Sequence, residues 1–315
     1  MNRLSGATAL VTGGAGFFGS HLTDALVDAG ASVTVADDLS NGHLENLEKS
    51  LQRIEFLKVD LLRESLPELA ARKFDYVFHF AANANVTASV ADPRRDLEQN
   101  VLLTFSLLEA LRQESPGTRF VYASSAAVYG EGLERPLRED DPCIPISPYA
   151  ASKLAGEHYT KLFHSLYGLP ALALRFFSTY GPRLRKQVVY DIIRKLDAAP
   201  EQLQIHGDGT QRRDFNSIGN ALSAVLLVVA RAEFTGEVFN VASGTALTIR
   251  ALAEEICRQM GLNPVLAYTN SIRAGEAQQW SADISRLRAL GYTPPEGLGD
   301  GLRSTVEWYL RNRKR

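Results

Sequence analysis

The sequence predicts an α/β fold in which a doubly wound parallel sheet is followed by a smaller C-terminal lobe. Short apolar runs alternate with helical patterns through the first half of the chain, and the first run leads directly into a glycine-rich turn. After about residue 175 this alternation breaks. Repeated βα units favour a parallel sheet with helices on both faces, since parallel strands require long crossover connections.

The predicted strands have the apolar character of buried parallel strands: residues 7–12, 32–37, 55–60, 76–81, 119–124 and 170–175. A first predicted helix follows the glycine-rich turn and runs toward Ala29. A second ends near Arg112, and the helical spacing of its apolar residues predicts one buried face made of Leu97, Val101, Phe105, Leu108 and Leu111. A third begins at Pro148, with Ser147 as its N-cap.

The second half predicts a smaller lobe with irregular connections. Gly181-Pro182, Gly207-Asp208-Gly209 and residues 261–280 are interpreted as loops and short elements. Residues 221–230 predict a buried helix and residues 238–241 a short strand, so the chain is expected to return to the first domain there. A final helix is predicted over residues 302–310.

Composition excludes several classes of protein. The chain has 315 residues, of which 45% are hydrophobic and 22% charged, as in globular proteins. Its net charge of −2 gives no global field for nucleic acid or an anionic membrane, so we expect neither partner. Cys143 and Cys257 lie in unrelated contexts, which predicts no disulfide framework, no metal site and a reducing cytoplasm. The start of the chain is too short and polar for a signal peptide, and the longest apolar stretch is half a membrane span.

The glycine-rich turn predicts a dinucleotide diphosphate site. Gly13, Gly16 and Gly19 lie between the first strand and its helix, where glycine permits close backbone approach and the helix N-terminus favours negative charge. An ordinary strand-to-helix turn is the structural alternative. Asp37 ends the next strand, 24 residues after Gly13, where a carboxylate accepts hydrogen bonds from an adenosine ribose.

The carboxylate of Asp37 would also repel a 2′-phosphate. With Asp38 beside it and no arginine on that turn, the sequence favours NAD(H) over NADP(H). Asp60-Leu61 ends the third strand and is placed beside the adenine, with a helix cap as the alternative interpretation of Asp60.

Tyr149 and Lys153 are four residues apart on one face of the third predicted helix. Such a pair is commonplace and usually structural, but beside a dinucleotide turn it indicates an acid/base group. A phenol with a pKa near 10 is a poor base at neutral pH. A lysine ammonium and an oxidised nicotinamide would lower that pKa by about 2–3 units for roughly 3–4 kcal/mol of differential interaction. Tyr149 would then take a hydroxyl proton as hydride leaves.

Several motifs together resemble the extended short-chain dehydrogenase/reductases, in particular the NAD-dependent nucleotide-sugar epimerases and dehydratases. The three main motifs are Gly13-x-x-Gly16-x-x-Gly19, Ser125-Ala-Ala-Val-Tyr-Gly130 and Tyr149-x-x-x-Lys153. Further matches are His79-Phe-Ala-Ala82, Asn100, Arg175-Phe-Phe177, Gly181-Pro182, Gly207-Asp-Gly209, Arg213-Asp-Phe215 and Arg273-Ala-Gly-Glu276. The resemblance covers nearly the whole chain.

The resemblance implies a role for each matching residue. Ser125 would hydrogen-bond the reacting sugar oxygen, with Ser124 as the structural alternative. Tyr149 would be the acid/base, and Lys153 would hold the nicotinamide ribose and tune Tyr149. The implied NAD-binding residues are Gly13, Gly16, Phe17, Phe18, Gly19, Asp37, Asp38, Asp60, Leu61, Phe80, Ala81, Ala82, Asn100, Tyr149, Lys153 and Phe176.

The substrate implied by the resemblance is a nucleotide-diphosphate sugar. Arg213 and Arg273 would clamp its diphosphate, with a surface ion pair as the alternative for either. Ser178 would contact substrate where similar enzymes often have asparagine. The implied organisation is a Rossmann-type NAD-binding domain over residues 1–176 and a mainly substrate-binding lobe over residues 177–315. Within that lobe, residues 219–242 return to the first domain.

Departures from the family pattern favour an epimerase. Dehydratases typically carry Asp-Glu where this chain has Ala126-Ala127, and they use this pair to expel water from the sugar. We therefore expect inversion at C4 through a transient 4-keto sugar, although Ala84 and Gly219-Asn220 replace residues that some relatives carry. An NAD(H)-linked sugar-nucleotide reductase or dehydratase, and a non-enzymatic NAD-binding regulatory protein, are the alternatives.

Assembly is predicted from the helices that end near Arg112 and Leu166. Both have apolar residues on more than one face, such as Leu103 and Leu107 opposite Phe105. Similar proteins pair these helices between subunits, which implies a homodimer. Burial against the second lobe is the alternative.

Overall fold

The computed structural model describes residues 3–63, 65–269, 271 and 279–313. The chain divides into two compact units. The first unit comprises Met1–Gly130, Pro142–Arg175 and Val225–Phe239, and the second comprises Glu131–Asp141, Phe176–Ala224 and Asn240–Arg315. Residues 131–141 therefore cluster with the second unit, and the return to the first unit covers residues 225–239 rather than 219–242.

Strands and helices alternate up to residue 176 with two exceptions: residues 38–53 hold only short 3₁₀ turns between two strands, and three α-helices lie between the strands Tyr76–His79 and Arg119–Ser125. The strands are β1 (Thr8–Thr12), β2 (Ser32–Asp37), β3 (Ile54–Lys58), β4 (Tyr76–His79), β5 (Arg119–Ser125), β6 (Ala171–Phe176), β7 (Ser178–Tyr180), β8 (Gln202–Ile205), β9 (Arg212–Ser217), β10 (Thr235–Val241), β11 (Ala246–Thr248), β12 (Val265–Tyr268) and β13 (Gln279–Trp280). The helices are α1 (Phe17–Asp28), α2 (Leu66–Ala70), α3 (Val86–Ala91), α4 (Pro93–Leu97), α5 (Leu103–Glu114), α6 (Pro148–Tyr167), α7 (Gln187–Ala198), α8 (Ile218–Arg231), α9 (Ile249–Met260), α10 (Ser285–Ala289) and α11 (Leu298–Asn312).

The large central sheet has seven strands in the order β10-β6-β5-β4-β1-β2-β3. The pairs of β1 with β2 and β4, of β2 with β3, and of β4 with β5 are all parallel. This confirms the predicted α/β class, and each predicted strand of the first half agrees within two residues at either end. The strand order reverses direction at β1, and in open α/β sheets ligands bind at the carboxyl ends of the strands beside such a point.

The helix that precedes residue 115 confirms the predicted buried face in part. Val101, Leu108 and Leu111 are buried as predicted, whereas Leu97 and Phe105 are exposed. Leu103 and Leu107 are buried as well. A π-helical turn at Glu98–Leu102 separates Leu97 from α5. A π-turn holds one residue more than an α-turn, so Leu97 does not keep the register that a continuous 3.6-residue period assumes.

The core of the first unit lies under α2, α5 and α6. It contains buried side chains from β1, β4 and β5 as well as from these helices, among them Leu10, Val77, Phe120, Leu107, Leu111 and Phe163. Burial of this apolar surface is the main force that holds the helices on the sheet.

In the second unit β9 pairs with β7, β11 and β13, and β8 pairs with β12. The predicted helix at 221–230, strand at 238–241 and helix at 302–310 are confirmed as α8, β10 and α11. Helices α7 and α9 were not predicted, although both have a buried apolar face. Among the described residues, no helix combines the length and apolar character that crossing a membrane requires.

Candidate active site

The glycine-rich turn joins β1 to α1 and approaches β4 closely. Gly13 has a φ of +69°, and a Cβ there would lie 2.7 Å from the backbone nitrogen of Ala81. A Cβ on Gly19 would overlap the carbonyl oxygen of Gly13. Gly16 is the N-cap of α1 and supplies no side-chain cap, so first-turn amides of this helix can donate to an external acceptor. The turn is therefore shaped as a backbone cradle for an anion.

Asp37 ends β2 beside this turn. Its carboxylate accepts hydrogen bonds from the backbone N–H of Ala15 at 2.9 Å and of Leu39 at 2.8 Å. Burial raises the pKa of Asp37, and the two backbone hydrogen bonds oppose that effect. The residue thus fixes the turn as well as presenting a carboxylate at the strand end.

The other acidic residues expected near the adenosine lie in turns. Asp38 is exposed and accepts from the backbone N–H of Ser40 at 2.8 Å. Asp60 accepts from the backbone N–H of Leu62 at 3.1 Å and forms an ion pair with Arg63. Asp60 therefore closes a turn of residues 61–63 rather than capping α2, which starts at Leu66, and its place beside the adenine stays a prediction. The adjacent Leu61 is buried.

Aromatic and small residues surround the turn. The rings of Phe18 and Phe80 stack with centroids 4.8 Å apart, and Phe17 meets the ring of His21 edge-on. The backbone N–H of Ala81 donates to the hydroxyl of Thr12 at 3.2 Å. Ala82 follows it and is partly exposed, and so is Phe176 at the end of β6.

His79 of the His-Phe-Ala-Ala motif is structural. Its two ring nitrogens lie 2.8 Å from the hydroxyl of Thr12 and 3.0 Å from that of Thr104. Burial, assisted by the charge of Lys153, lowers the pKa of His79 to about 3. The imidazole is therefore neutral and links β4 to β1 and α5.

Ser125, Tyr149 and Lys153 come together at the carboxyl end of β5. The predicted cap of α6 is confirmed, because the Ser147 hydroxyl accepts from the N–H of Ala150 at 3.2 Å. Tyr149 and Lys153 then occupy successive turns of α6, and the phenol of Tyr149 is hydrogen-bonded to the hydroxyl of Ser125. The ammonium of Lys153 donates to the carbonyl of Ala123 at 2.9 Å.

Burial dominates the pKa values of the two titratable groups. Burial raises the pKa of Tyr149, and the negative charge of Asp96 raises it further. The hydrogen bond from Ser125 opposes both effects. Burial lowers the pKa of Lys153 to about 8, against the opposing effects of Asp96 and Glu157. Lys153 is not among the main influences on the pKa of Tyr149, and the lowering expected from Lys153 together with an oxidised nicotinamide stays a prediction.

A buried ion pair behind these residues escaped sequence analysis. The guanidinium of Arg175 donates to both carboxylate oxygens of Glu157, at 2.9 and 2.7 Å. The Ser124 hydroxyl donates to the same carboxylate, so Ser124 serves this pair while Ser125 meets Tyr149. Glu157 lies one helical turn after Lys153, and this spacing was the only feature of the sequence that could have placed Glu157 on the same helix face as Lys153.

Asp96 was also missed. It is fully buried and accepts from Ser152, Asn83 and Asn100, with donor–acceptor distances of 2.6, 2.9 and 3.0 Å. Asn100 is buried too, and its side-chain oxygen has no hydrogen-bond partner among the described residues. No sequence pattern joins residues 96 and 152, so only the fold brings them together.

The expected substrate residues belong to the second unit. Arg213 on β9 is only 7% exposed, which excludes the surface ion pair. It donates to the carbonyl of Arg212 at 2.9 Å, and its guanidinium lies 5.0 Å from the ring centroid of Trp280. Ser178 is partly exposed at the start of β7. Arg273 lies outside the described residues.

Metal chemistry has no visible ligand set here. No group of three or more His, Cys, Asp or Glu side chains in the described parts of the chain is arranged to hold a metal ion. Cys143 and Cys257 do not form a disulfide bond with each other.

Comparisons with known proteins agree with this arrangement. Residues 9–242 match the model of the NAD dependent epimerase/dehydratase family. The chain is 34% identical to a putative UDP-glucose 4-epimerase of Methanocaldococcus jannaschii over 97% of this chain and 99% of the relative.

Solved structures give the same result. A UDP-N-acetylglucosamine 4-epimerase from Methanobrevibacter ruminantium, in complex with UDP-N-acetylmuramic acid, superposes with a TM-score of 0.90 at 36% identity, covering 98% of this chain and 99% of that one. A dTDP-glucose 4,6-dehydratase from Streptomyces venezuelae with NAD bound gives 0.88 at 30% identity, covering 98% of each chain.

The fold and the Ser-Tyr-Lys arrangement define a protein of the extended short-chain dehydrogenase/reductase class. Within that class, the chain belongs to the NAD-dependent epimerase/dehydratase family, and its cofactor is NAD. The site fits this cofactor: side chains at Gly13 or Gly19 would fill the cradle, and the buried oxygen of Asn100 is an acceptor that the described protein groups leave unused.

Proposed function

We propose that this protein is a nucleotide-sugar epimerase that inverts C4 through a transient 4-keto sugar. The observation that carries the proposal is the pairing of Ser125 with Tyr149 beside two alanines. Ala126 and Ala127 are 1% and 5% exposed, and neither offers an acid or base. The site therefore has a group for the C4 hydroxyl proton, whereas the segment that carries the extra acid and base in dehydratases is apolar.

The chain's residues divide the work of the reaction. NAD, when bound, would supply the hydride acceptor and donor for the sugar carbon. The phenol oxygen of Tyr149 takes the proton of the C4 hydroxyl and later gives it back, as a positioned acid/base does. The Ser125 hydroxyl holds the same sugar oxygen, and Lys153 binds the nicotinamide ribose. Return of hydride to the opposite face, after the keto sugar rotates, yields the epimer.

We infer the substrate class, a nucleotide sugar, from residues of the second unit. We assign Arg213 and Arg273 to the diphosphate of a nucleotide sugar, with Ser178 as a further contact. The guanidinium of Arg213 is held by a backbone carbonyl and by the ring of Trp280, which fixes the orientation of its planar donors. The 4-epimerases among the similar proteins act on UDP-sugars by name, so UDP-glucose and UDP-N-acetylglucosamine are the first substrates to test.

The proposed assembly is a homodimer. Leu97, Leu102 and Phe105 form an exposed apolar stripe, and Leu162 and Leu166 add exposed leucines on α6. Covering these side chains with a second copy would remove apolar surface from water. Light scattering at micromolar concentration should give twice the mass of the chain, and the mass of a single chain would contradict the proposal. We place the homodimer in the reducing cytoplasm.

The reaction is tested by incubating the protein with a UDP-sugar in ordinary water and in deuterium oxide. The expected product is an isomer of the substrate, formed to the same ratio from either side without added cofactor and without deuterium. Loss of water would indicate a dehydratase, and consumption of NADH a reductase. Deuterium at C5 would show deprotonation there, and an absence of turnover on every sugar nucleotide would favour a regulatory role.

Tyr149→Phe provides the matched control for this assay. It removes one oxygen atom and should lower turnover at least 10²-fold, the usual scale for a positioned acid/base. Folding and bound NAD should be nearly unchanged, as measured by circular dichroism and absorbance. Turnover close to that of the unaltered protein would refute the assignment of Tyr149.

A further inference from the structure

Four buried ionisable side chains of the first unit are linked electrostatically, because Glu157 pairs with Arg175 and the charges of Asp96 and Glu157 both act on Lys153. Lys153 and Arg175 are each 4% exposed, Glu157 is 5% exposed, and Asp96 is fully buried. The bidentate contact of Arg175 takes both oxygens of Glu157. Lys153 and Asp96, whose side chains have opposite charges, do not take part in this ion pair. A buried charge is costly unless another charge or a set of hydrogen bonds compensates it.

The position of Asp96 ties it to the helix of Lys153. Asp96 lies on α4, which packs against α6. Its carboxylate accepts the Ser152 hydroxyl at 2.6 Å, and Ser152 immediately precedes Lys153. On the other oxygen it accepts the side-chain amides of Asn83 and Asn100. All three donors are uncharged, so they hold the carboxylate in place while leaving its negative charge unneutralised.

The remaining groups around Lys153 are neutral or paired at neutral pH. Burial keeps His79 neutral and raises the pKa values of Tyr122 and Tyr149. On α5, Glu109 pairs with Arg112. The groups that interact with Lys153 are Asp96 and Glu157 through their charges, His79, and the ring of Tyr122, whose centroid lies 5.1 Å from the ammonium nitrogen.

We propose that Asp96 is a positioning residue of the site: its buried carboxylate, fixed by Ser152, Asn83 and Asn100, is the counter-charge that keeps Lys153 protonated. This inference rests on the proposed function, in which the ammonium of Lys153 binds the nicotinamide ribose. Asp96 touches neither sugar nor reacting atoms and acts through Lys153. Because Asn100 shares the same carboxylate, Asp96 also links the proposed cofactor side of the site to the acid/base helix.

The direct test is the titration of Lys153 in Asp96→Asn. Asparagine has the same shape and can accept from the two asparagine amides while donating to Ser152, so only the charge is lost. The ¹³Cε resonance of Lys153 in the full chain, loaded with NAD to the same degree in every variant, is assigned by its disappearance in Lys153→Met. Loss of a neighbouring opposite charge should lower the lysine pKa by about one unit or more. At the pH where half of Lys153 is protonated in the unaltered protein, the protonated fraction in Asp96→Asn should then be about one tenth.

Two controls separate charge from packing. Glu98→Gln removes an exposed carboxylate two residues away and should leave the titration of Lys153 unchanged. Ser152→Ala keeps the charge of Asp96 but removes one hydrogen bond, so its titration should lie much closer to that of the unaltered protein. An unchanged titration in Asp96→Asn, or an equal shift in Glu98→Gln, overturns the proposal.

A stability measurement keeps the proposal falsifiable if Asp96→Asn does not fold. In Lys153→Met the carboxylate of Asp96 is left without its counter-charge. The double variant Asp96→Asn/Lys153→Met should therefore unfold at a higher urea concentration than Lys153→Met alone, and a lower one overturns the proposal. In active protein, the alkaline fall in turnover should move to lower pH in Asp96→Asn. Should the unaltered protein turn over no sugar nucleotide, the proposed function fails, while the lysine titration still decides the role of Asp96.

Discussion

Replacing Arg175 by methionine should lower the free energy of unfolding by about 3–5 kcal/mol, the cost of leaving one partner of a buried ion pair uncompensated. Both side chains of the pair are 5% exposed. Methionine fills much of the space of the arginine stem, but it removes both hydrogen bonds to Glu157 and leaves that carboxylate with the hydroxyl of Ser124. Since domains are stable by only about 5–15 kcal/mol, the loss is large.

Urea denaturation followed by circular dichroism at pH 7 measures this loss. Arg94→Met is the matched control, because its side chain is 88% exposed and lies 3.7 Å from Glu98, so it should change stability by less than about 1 kcal/mol. Glu157→Gln/Arg175→Met should recover most of the loss, because the neutral amide still accepts from Ser124. A loss below about 1 kcal/mol in Arg175→Met, or a double variant as unstable as the single one, would refute the reasoning.

Three further changes test other parts of the structure. Gly156→Ala places a Cβ against the buried ring of Tyr122 and should cost about 1–3 kcal/mol in a urea titration, despite the higher helix propensity of alanine; a gain in stability would contradict this packing. Gly13→Ala should weaken NAD binding at least about tenfold by fluorescence titration, because position 13 has positive φ and lies against Ala81; unchanged affinity would exclude the cradle. Burial raises the pKa of Asp214 from 3.8 to about 6. The folded state therefore binds this proton more tightly, and the unaltered protein should gain roughly 2 kcal/mol relative to Asp214→Asn as the pH falls from 7 to 4. A difference independent of pH would contradict it.

Local patterns in the sequence determined most of the sheet and the outline of the site. Apolar runs of five to seven residues fixed the strands, because a strand buried on both faces needs a continuous apolar sequence. The spacing of Gly13 and Gly19 identified the turn, and the structure gives the reason for both glycines, because a Cβ at either position would overlap backbone atoms. Ser147 and Pro148 identified the start of α6, and the spacing of Tyr149 and Lys153 placed both on one face. In each case the residues that form the sequence pattern and the structural feature that it predicts lie within a segment of fewer than ten residues.

The tertiary structure alone decided which side chains surround these residues. Asp96 and Ser152 are 56 positions apart in sequence and meet only because α4 packs against α6. The π-turn at Glu98–Leu102 interrupts the helical period between Leu97 and α5, and Leu97 is exposed where a continuous period predicted burial. Among the chain's own groups burial raises the pKa of Tyr149, and no local pattern reveals this effect because desolvation depends on everything packed around the phenol. Periodicity and capping act between neighbours in sequence, whereas burial and charge act between neighbours in space, and only the folded chain defines the latter.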